Sequence, residues 1–373
     1  APGRASASGT EEFTRRSRER GVAAGHFRLV SSGLQLSSIG LGTYLGATNG
    51  PTDLAVTEAA RMAVASGRLN VLDTAINYRG QRAERSLGRA AQLLREAGVA
   101  REQLFIATKA GYLAPDSESG LAPASWVRQE LLDRRVLRPS EIVDGSHAMA
   151  PAYLRDQVRR SRANLGLDTI DLLYLHNSAE SQLPWVGRDE FTLRLGAAFG
   201  ELEAMRKEGW IASYGLATWD SLRSSRSDAG HLELEAALAA AHAAGGGEHG
   251  LRYLQFPFNA AMPEAAAIRS QRVQGRPCTL FEAAGLLGLA CFTSVPLLQG
   301  RLLEGASPEP ELSSAQWAIQ FARSAPGTVG PLVGMKRVEH LGENLTVAER
   351  EPWGPEEFRG RLQDVAGRAP PGR

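Results

Sequence analysis

Leu104-Phe105-Ile106-Ala107-Thr108-Lys109 is a short apolar run closed by a single cation. Such a run reads as a strand buried on both faces, the kind found inside a parallel sheet. Backwards from it, residues 83–97 carry helical spacing and stop at Gly98, and Asn70-Val71-Leu72-Asp73 is another apolar run closed by a charge. Forwards, 151–165 is helical. Pro151 suits its first turn and Gly166 its stop. The next run, 171–175, is followed by His176. Extended both ways, the pattern predicts strands at 39–41, 70–73, 104–108, 171–175, 213–217, 253–256, 289–293 and 329–333. Helices are expected at 53–66, 83–97, 151–165, 191–208, 232–244, 280–287, 313–323 and 338–345. Eight strand–helix pairs in alternation imply a parallel sheet, and eight is the number that closes a barrel. The expectation is one α/β domain, a (β/α)8 TIM barrel. A doubly wound open sheet would need a glycine-rich turn from the first strand straight into a helix. Gly40-Leu41-Gly42 leads into Pro51 instead.

Apolar alternation on either side of Ser31-Ser32-Gly33 predicts a β-hairpin before the barrel. Residues 1–25 are rich in Ala, Ser, Gly, Arg and Glu and read as a disordered tail. The barrel is expected over 26–360, with a second tail at 361–373. The connections 111–150, an insertion after the third strand, and 259–277 are long, and such loops are usually functional or mobile. The insertion carries Tyr112, Trp126 and His147, and reads as a lid, a subunit contact or an embellishment. Arg269, Arg272 and Arg276 make the second loop basic, best read as a solvated face.

The 373 residues are 43% hydrophobic and 22% charged, with a formal net charge of +1. This composition suits a globular protein and supplies no field to recruit nucleic acid or an anionic membrane. Cys278 and Cys291 form no disulfide scaffold or zinc motif, so a reducing, cytoplasmic compartment is expected. No apolar run reaches the ~18 residues of a membrane span. Lysine occurs only at Lys109, Lys207 and Lys336 among 42 basic residues. A lysine retained in such a chain marks a place where arginine does not substitute.

Asp73, Lys109 and His176 close the second, third and fourth strands, and Tyr78 follows Asp73 in the next loop. In a barrel these strand ends are neighbours, so the four side chains can share a pocket. Together they make a proton-donating device. A phenol is a weak acid at neutral pH, and a nearby ammonium is expected to lower its pKa while the carboxylate holds the lysine. The histidine can orient a carbonyl oxygen.

Asp73-Thr74-Ala75 with Tyr78, Thr108-Lys109, Leu173-Tyr174-Leu175-His176, Gly209-Trp210-Ile211, Leu254-Gln255-Phe256 and Glu343-Asn344 together resemble the aldo-keto reductase family. The hairpin followed by Ile39-Gly40-Leu41-Gly42-Thr43-Tyr44 fits as well, and the resemblance runs from about Phe27 to Leu345. It implies a (β/α)8 barrel and NADP(H)-dependent reduction of a small aldehyde or ketone. By resemblance, Tyr78 gives the proton, Lys109 and Asp73 tune it, and His176 positions the substrate.

The same resemblance assigns Gly42, Thr43, Asp73 and Gln255 to the nicotinamide side. Ala217 and Thr218 stand where the family carries a Ser-Asn pair, so only Thr218 offers a side chain to the amide. Ser294 stands where an aromatic usually stacks on the nicotinamide. Pro296, Leu297, Gln299, Gly300 and Arg301 fall where the pyrophosphate should pass. Gly334, Lys336, Arg337, His340, Glu343 and Asn344 form the adenosine-phosphate segment, with Lys336 and Arg337 suited to a 2′-phosphate. Tyr44, Trp185 and Trp219 would wall the substrate pocket. The departures at Ala217, Thr218 and Ser294 favour an alternative, a dinucleotide-binding regulatory or binding subunit with little turnover. A barrel lyase or hydrolase reusing the pocket is disfavoured, because no metal set or catalytic carboxylate pair stands out. A homo-oligomer is left open.

Overall fold

The computed structural model describes residues 1–366. The chain begins with helix α1 (Ala7–Glu19) and a hairpin of β1 (Phe27–Leu29) and β2 (Gln35–Ser37). The alternation that follows is β3 (Gly40–Gly42), α2 (Gly50–Ala65), β4 (Val71–Asp73), α3 (Arg82–Glu96), β5 (Phe105–Ala110), α4 (Pro123–Trp126), α5 (Pro151–Leu165), β6 (Ile170–His176), α6 (Ser178–Lys207), β7 (Ile211–Ala217), α7 (Leu234–Gly245) and β8 (Leu251–Pro257). Then come α8 (Glu264–Ala267), a small hairpin of β9 (Gln271–Val273) and β10 (Arg276–Cys278), α9 (Leu280–Leu286), β11 (Ala290–Ser294), α10 (Ser314–Arg323), β12 (Thr328–Gly334), α11 (Val338–Leu345) and α12 (Pro355–Ala366).

Eight parallel strands close in the order β11-β12-β3-β4-β5-β6-β7-β8, as the strand–helix count predicts. Phe105, Tyr253 and Phe292 fill the barrel interior, with ring centroids 5.4–6.1 Å apart. The larger core lies between strands and helices, where Leu87, Leu154, Leu173, Phe199 and Phe256 are fully buried. α6 is broken at Gly187, whose φ of +77° only glycine adopts freely, so a short first segment follows directly from the end of β6.

The tail expected at 1–25 is corrected. α1 is a capped helix: Ser6 Oγ accepts from the amide of Gly9 at 3.0 Å. Its buried face is Thr10, Phe13, Thr14 and Ser17. The three hydroxyls on that face bond back to carbonyls one turn earlier, and Phe13 meets Phe27 edge-on at 6.1 Å. Ala5 donates its amide to the buried carboxylate of Asp171 at 2.6 Å. Satisfied small polar groups pack almost as apolar ones do, so a low apolar count does not preclude a docked helix.

The far boundary moves too. α12 runs past residue 360, and Phe358 packs on Phe321 at 5.5 Å. The rest of the expected second tail, 367–373, lies outside the described residues. The insertion 111–150 carries α4 and its own apolar cluster, in which Trp126, Leu131, Leu137 and Ala148 pack with Tyr153 of α5.

Candidate active site

Strand register brings the predicted residues to one end of the barrel. Gly334 pairs with Gly42, Gly42 with Asp73, His176 with Ala217, and Ala217 with Gln255. The Lys109 ammonium is buried inside this ring. It donates to Asp73 Oδ2 at 2.6 Å and to the Thr74 carbonyl at 2.8 Å. Gln255 Nε2 donates to the other oxygen of Asp73 at 3.0 Å, and Thr43 Oγ1 reaches the Asp73 carbonyl at 3.2 Å. Burial draws the lysine pKa down and pushes the aspartate pKa up, each opposed by the partner's charge.

The Lys109 ammonium sits 5.0 Å from the centroid of the Tyr78 ring. Tyr44 packs edge-on to Tyr78 at 5.1 Å, and Tyr78 to His176 at 5.8 Å. One expectation is corrected: the phenol of Tyr78 is held well above its ordinary pKa rather than lowered. Desolvation is the main cause and the Asp73 charge the next. The ammonium faces the ring, and its hydrogen bonds go to Asp73 and Thr74, so it does not engage the phenolic oxygen. His176 is kept neutral by desolvation, helped by the nearby Lys109 charge. Its Nδ1 is buried and has no partner among the described residues. A bare lone pair there costs less than an orphaned N–H, which puts the proton on Nε2.

The predicted cofactor residues line the same end of the barrel. Leu41, Gly42, Thr43, Gly334 and Lys336 help to wall a small cavity of about 40 Å³. Thr218 Oγ1 is buried with no partner among the described residues, and its amide donates to the Gln255 carbonyl at 2.8 Å. Pro296, Leu297, Gln299, Gly300 and Arg301 form a tight turn after β11. Within it Val295, Leu298, Gln299 and Gly300 all have positive φ. Asn259 Nδ2 pins the Val295 carbonyl at 2.9 Å. Lys336, Arg337, His340 and Glu343 are exposed around the start of α11, while Asn344 is buried with Oδ1 unpartnered among the described residues.

The predicted substrate wall is less uniform. Tyr44 and Tyr78 touch. Trp219 is 40% exposed beyond β7, where Glu180 Oε1 accepts from its amide and those of Asp220 and Ser221 at 2.7–2.9 Å. Trp185 is 63% exposed on the first segment of α6. Tyr112 was a residue of unassigned role in the insertion. Its ring packs edge-on against His176 at 5.0 Å. An aromatic three residues beyond a strand-ending lysine was the one signal available for it.

A sequence model of the aldo/keto reductase family matches residues 38–237, more than half of the chain. No curated protein sequence matches it. Many solved structures share its fold. An aldo/keto reductase from Klebsiella pneumoniae in complex with NADP and acetate aligns over 94% of this chain and 98% of its own, with a TM-score of 0.61 and 18% identity. An aldo-keto reductase from the same organism in complex with NADPH covers the same shares, with a TM-score of 0.59 and 18% identity. The holo form of a Bacillus halodurans aldo-keto reductase covers 91% of this chain and 95% of its own, with a TM-score of 0.58 and 17% identity.

Proposed function

Because the chain belongs to the aldo/keto reductase family, we propose that it transfers a hydride between NADP(H) and the carbonyl carbon of a small aldehyde or ketone, with Tyr78 as proton donor. The observation that carries this reading is the buried Lys109–Asp73 pair beneath the Tyr78 ring, with His176 against the same ring. The donor set suits a dinucleotide. Gln255 Oε1 and Thr218 Oγ1 have no partner among the described residues and could take an amide. Lys336 and Arg301 carry no ion pair there and could take phosphates. When bound, the nicotinamide supplies the hydride.

The remaining chemistry falls to the chain's own residues. His176 Nε2–H would orient the carbonyl oxygen and stabilise the charge that develops on it. Tyr78, kept fully protonated by its raised pKa, would give its proton as the oxygen becomes an alkoxide, a far stronger base than phenolate. Lys109 faces the tyrosine ring and would stabilise the phenolate left behind. Tyr44, edge-on to Tyr78 and 57% exposed, would stand at the mouth of the pocket.

Single-turnover oxidation of NADPH with a saturating aldehyde tests the reading. General-acid assistance is typically worth ~10²–10⁴ in rate, so Tyr78→Phe should slow turnover by about that factor with dinucleotide affinity unchanged. An equally fast variant excludes Tyr78 as the acid. A second reading, binding without turnover, is favoured by Ala217 and Ser294, which give the nicotinamide neither an amide ligand nor a stacking ring. Fluorescence titration showing tight dinucleotide binding and no turnover on any carbonyl would support that reading instead.

A further inference from the structure

His147 is fully buried, and its Nε2 lies 2.9 Å from the main-chain oxygen of His176. A carbonyl only accepts, so Nε2 carries the proton and Nδ1 is a bare acceptor. Gln182 Nε2 meets that acceptor at 3.0 Å, and Gln182 Oε1 accepts in turn from Arg194 at 3.1 Å. The chain of hydrogen bonds therefore has one polarity, from a guanidinium that can only donate to a carbonyl that can only accept. Burial draws the His147 pKa down to about 4, which keeps the imidazole neutral as this arrangement requires.

A second set of contacts holds the His176 ring itself. Tyr112 packs edge-on against His176 at 5.0 Å and against His147 at 5.2 Å. Tyr112 OH accepts from Asn177 Nδ2 at 3.2 Å and lies 3.3 Å from Ser181 Oγ, and its main-chain oxygen accepts from Tyr153 OH at 2.9 Å and Gln157 Nε2 at 2.8 Å. The His176 ring thus lies between Tyr78 and Tyr112, with no hydrogen bond on Nδ1 to fix its angle. Gly111 makes the approach feasible. Its φ is +136°, and a Cβ there would lie 2.6 Å from His147 Nε2.

We propose that the insertion 111–150 is a built-in clamp for His176, in which His147 fixes its main chain and Tyr112 its ring, and that both are positioning residues for the carbonyl-orienting imidazole. The proposal rests on the reductase reading, but the clamp can be observed without turnover. His147 and Val143 are buried and Tyr112 half-buried, and bridges from Tyr112 and Val143 to His147 interlock them, so these residues brace the site. A misplacement near 1 Å at a reacting group can cost ~10²-fold in rate.

The test compares His147→Leu with His147→Gln, whose amide can still donate to the His176 carbonyl. His147→Leu should lower kcat for carbonyl reduction by ~10–100-fold with the NADPH Kd unchanged. His147→Gln should recover most of the loss, and Gly111→Ala should reproduce it. Nitrogen NMR of His176, identified by the signal missing from His176→Asn, supplies a readout independent of activity. Wild type and His147→Gln should show a single Nε2–H tautomer, and His147→Leu an averaged one. If His147→Leu fails to fold, Gln182→Met removes the donor to Nδ1 and should move the same signal. Unchanged His176 resonances in both variants, or equal loss in the Leu and Gln variants, would overturn the clamp. Altered resonances in a protein without turnover would leave the clamp standing and overturn the reductase reading.

Discussion

Lys109 is 1% exposed, with Asp73 as its ion-pair partner. Its ammonium is fully buried between Asp73 Oδ2 and the Thr74 carbonyl. Replacing it by methionine keeps the stem but leaves the Asp73 carboxylate buried with only Gln255 for company. Breaking such a pair by removing one partner costs about 3–5 kcal/mol. Lys109→Met should therefore be destabilised by roughly that amount in urea denaturation, and turnover should fall sharply. Lys109→Met with Asp73→Asn should be more stable than Lys109→Met alone, because no orphaned charge remains, yet equally inactive. A double variant no more stable than the single would show that the ion pair is not what holds the site. Asp73, Tyr78, Lys109 and His176 were legible in the sequence because each stands at or just past a strand end, where barrel geometry makes neighbours of distant residues. The raised phenol pKa and the Gln255–Asp73 bond were not. They depend on burial and on which way an ammonium points, and neither has a trace in spacing.

At the scale of elements, α1 shows how a helix can escape notice. Its docking face carries three hydroxyl residues and one aromatic, so no apolar stripe announces it. Phe13 is 6% exposed and provides most of the apolar contact, against Phe27 and the cluster behind it. Truncating a buried phenylalanine to alanine costs about 3–5 kcal/mol. Phe13→Ala should therefore lower stability by roughly that amount while the barrel's activity, measured well below the melting temperature, persists. A loss under about 0.5 kcal/mol, the usual range for surface substitutions, would mean that α1 is not docked in solution. The segment from β12 into α11 was easier to read, because Lys336 and Arg337 stand just before the first turn of a helix, where anions are favoured. The wild type should bind NADPH more tightly than NADH, and Lys336→Ala with Arg337→Ala should lose most of that preference in fluorescence titration. Equal affinity for the two dinucleotides in the wild type would remove these cations from the 2′-phosphate. The turn after β11 was legible in place but not in shape, since the positive φ values of Val295 and Leu298 run against their residue types.

Across the whole molecule, buried histidines link the two ends of the barrel to pH. His26 lies by the opening hairpin, where its Nδ1 is 3.0 Å from Ser38 Oγ and its Nε2 2.8 Å from the Arg68 carbonyl. The Arg323 guanidinium stands 3.5 Å from the ring. Burial draws its pKa down to about 3, with the Arg323 charge assisting. His147 is held at about 4 by burial, and His176 well below the ordinary value by desolvation and then by Lys109. All three are neutral in the folded protein and become protonated near pH 6.5 once unfolded. The unfolded chain therefore binds more protons below that pH, and stability is greatest above pH 6.5 and falls as the pH drops. Each histidine contributes about 1.4 kcal/mol per pH unit until its folded pKa is reached. Asp73 and Glu84 act the other way, because burial raises their pKa values and lets the fold hold protons the unfolded chain has lost. Three histidines outnumber two carboxylates, so the net stability is expected to fall as the pH drops from 7 towards 5. Urea unfolding at pH 7, 6 and 5 should show the midpoint falling across the series. His26→Gln, whose amide can still donate to the Arg68 carbonyl, should flatten the slope by about one histidine's share. A midpoint that holds steady or rises from pH 7 to 5 would mean that these imidazoles are not neutral and buried in the folded chain. Neutral imidazoles at His147 and His176 are also what the clamp and the carbonyl-orienting Nε2–H require, so the same titration bears on the site as well as on the fold.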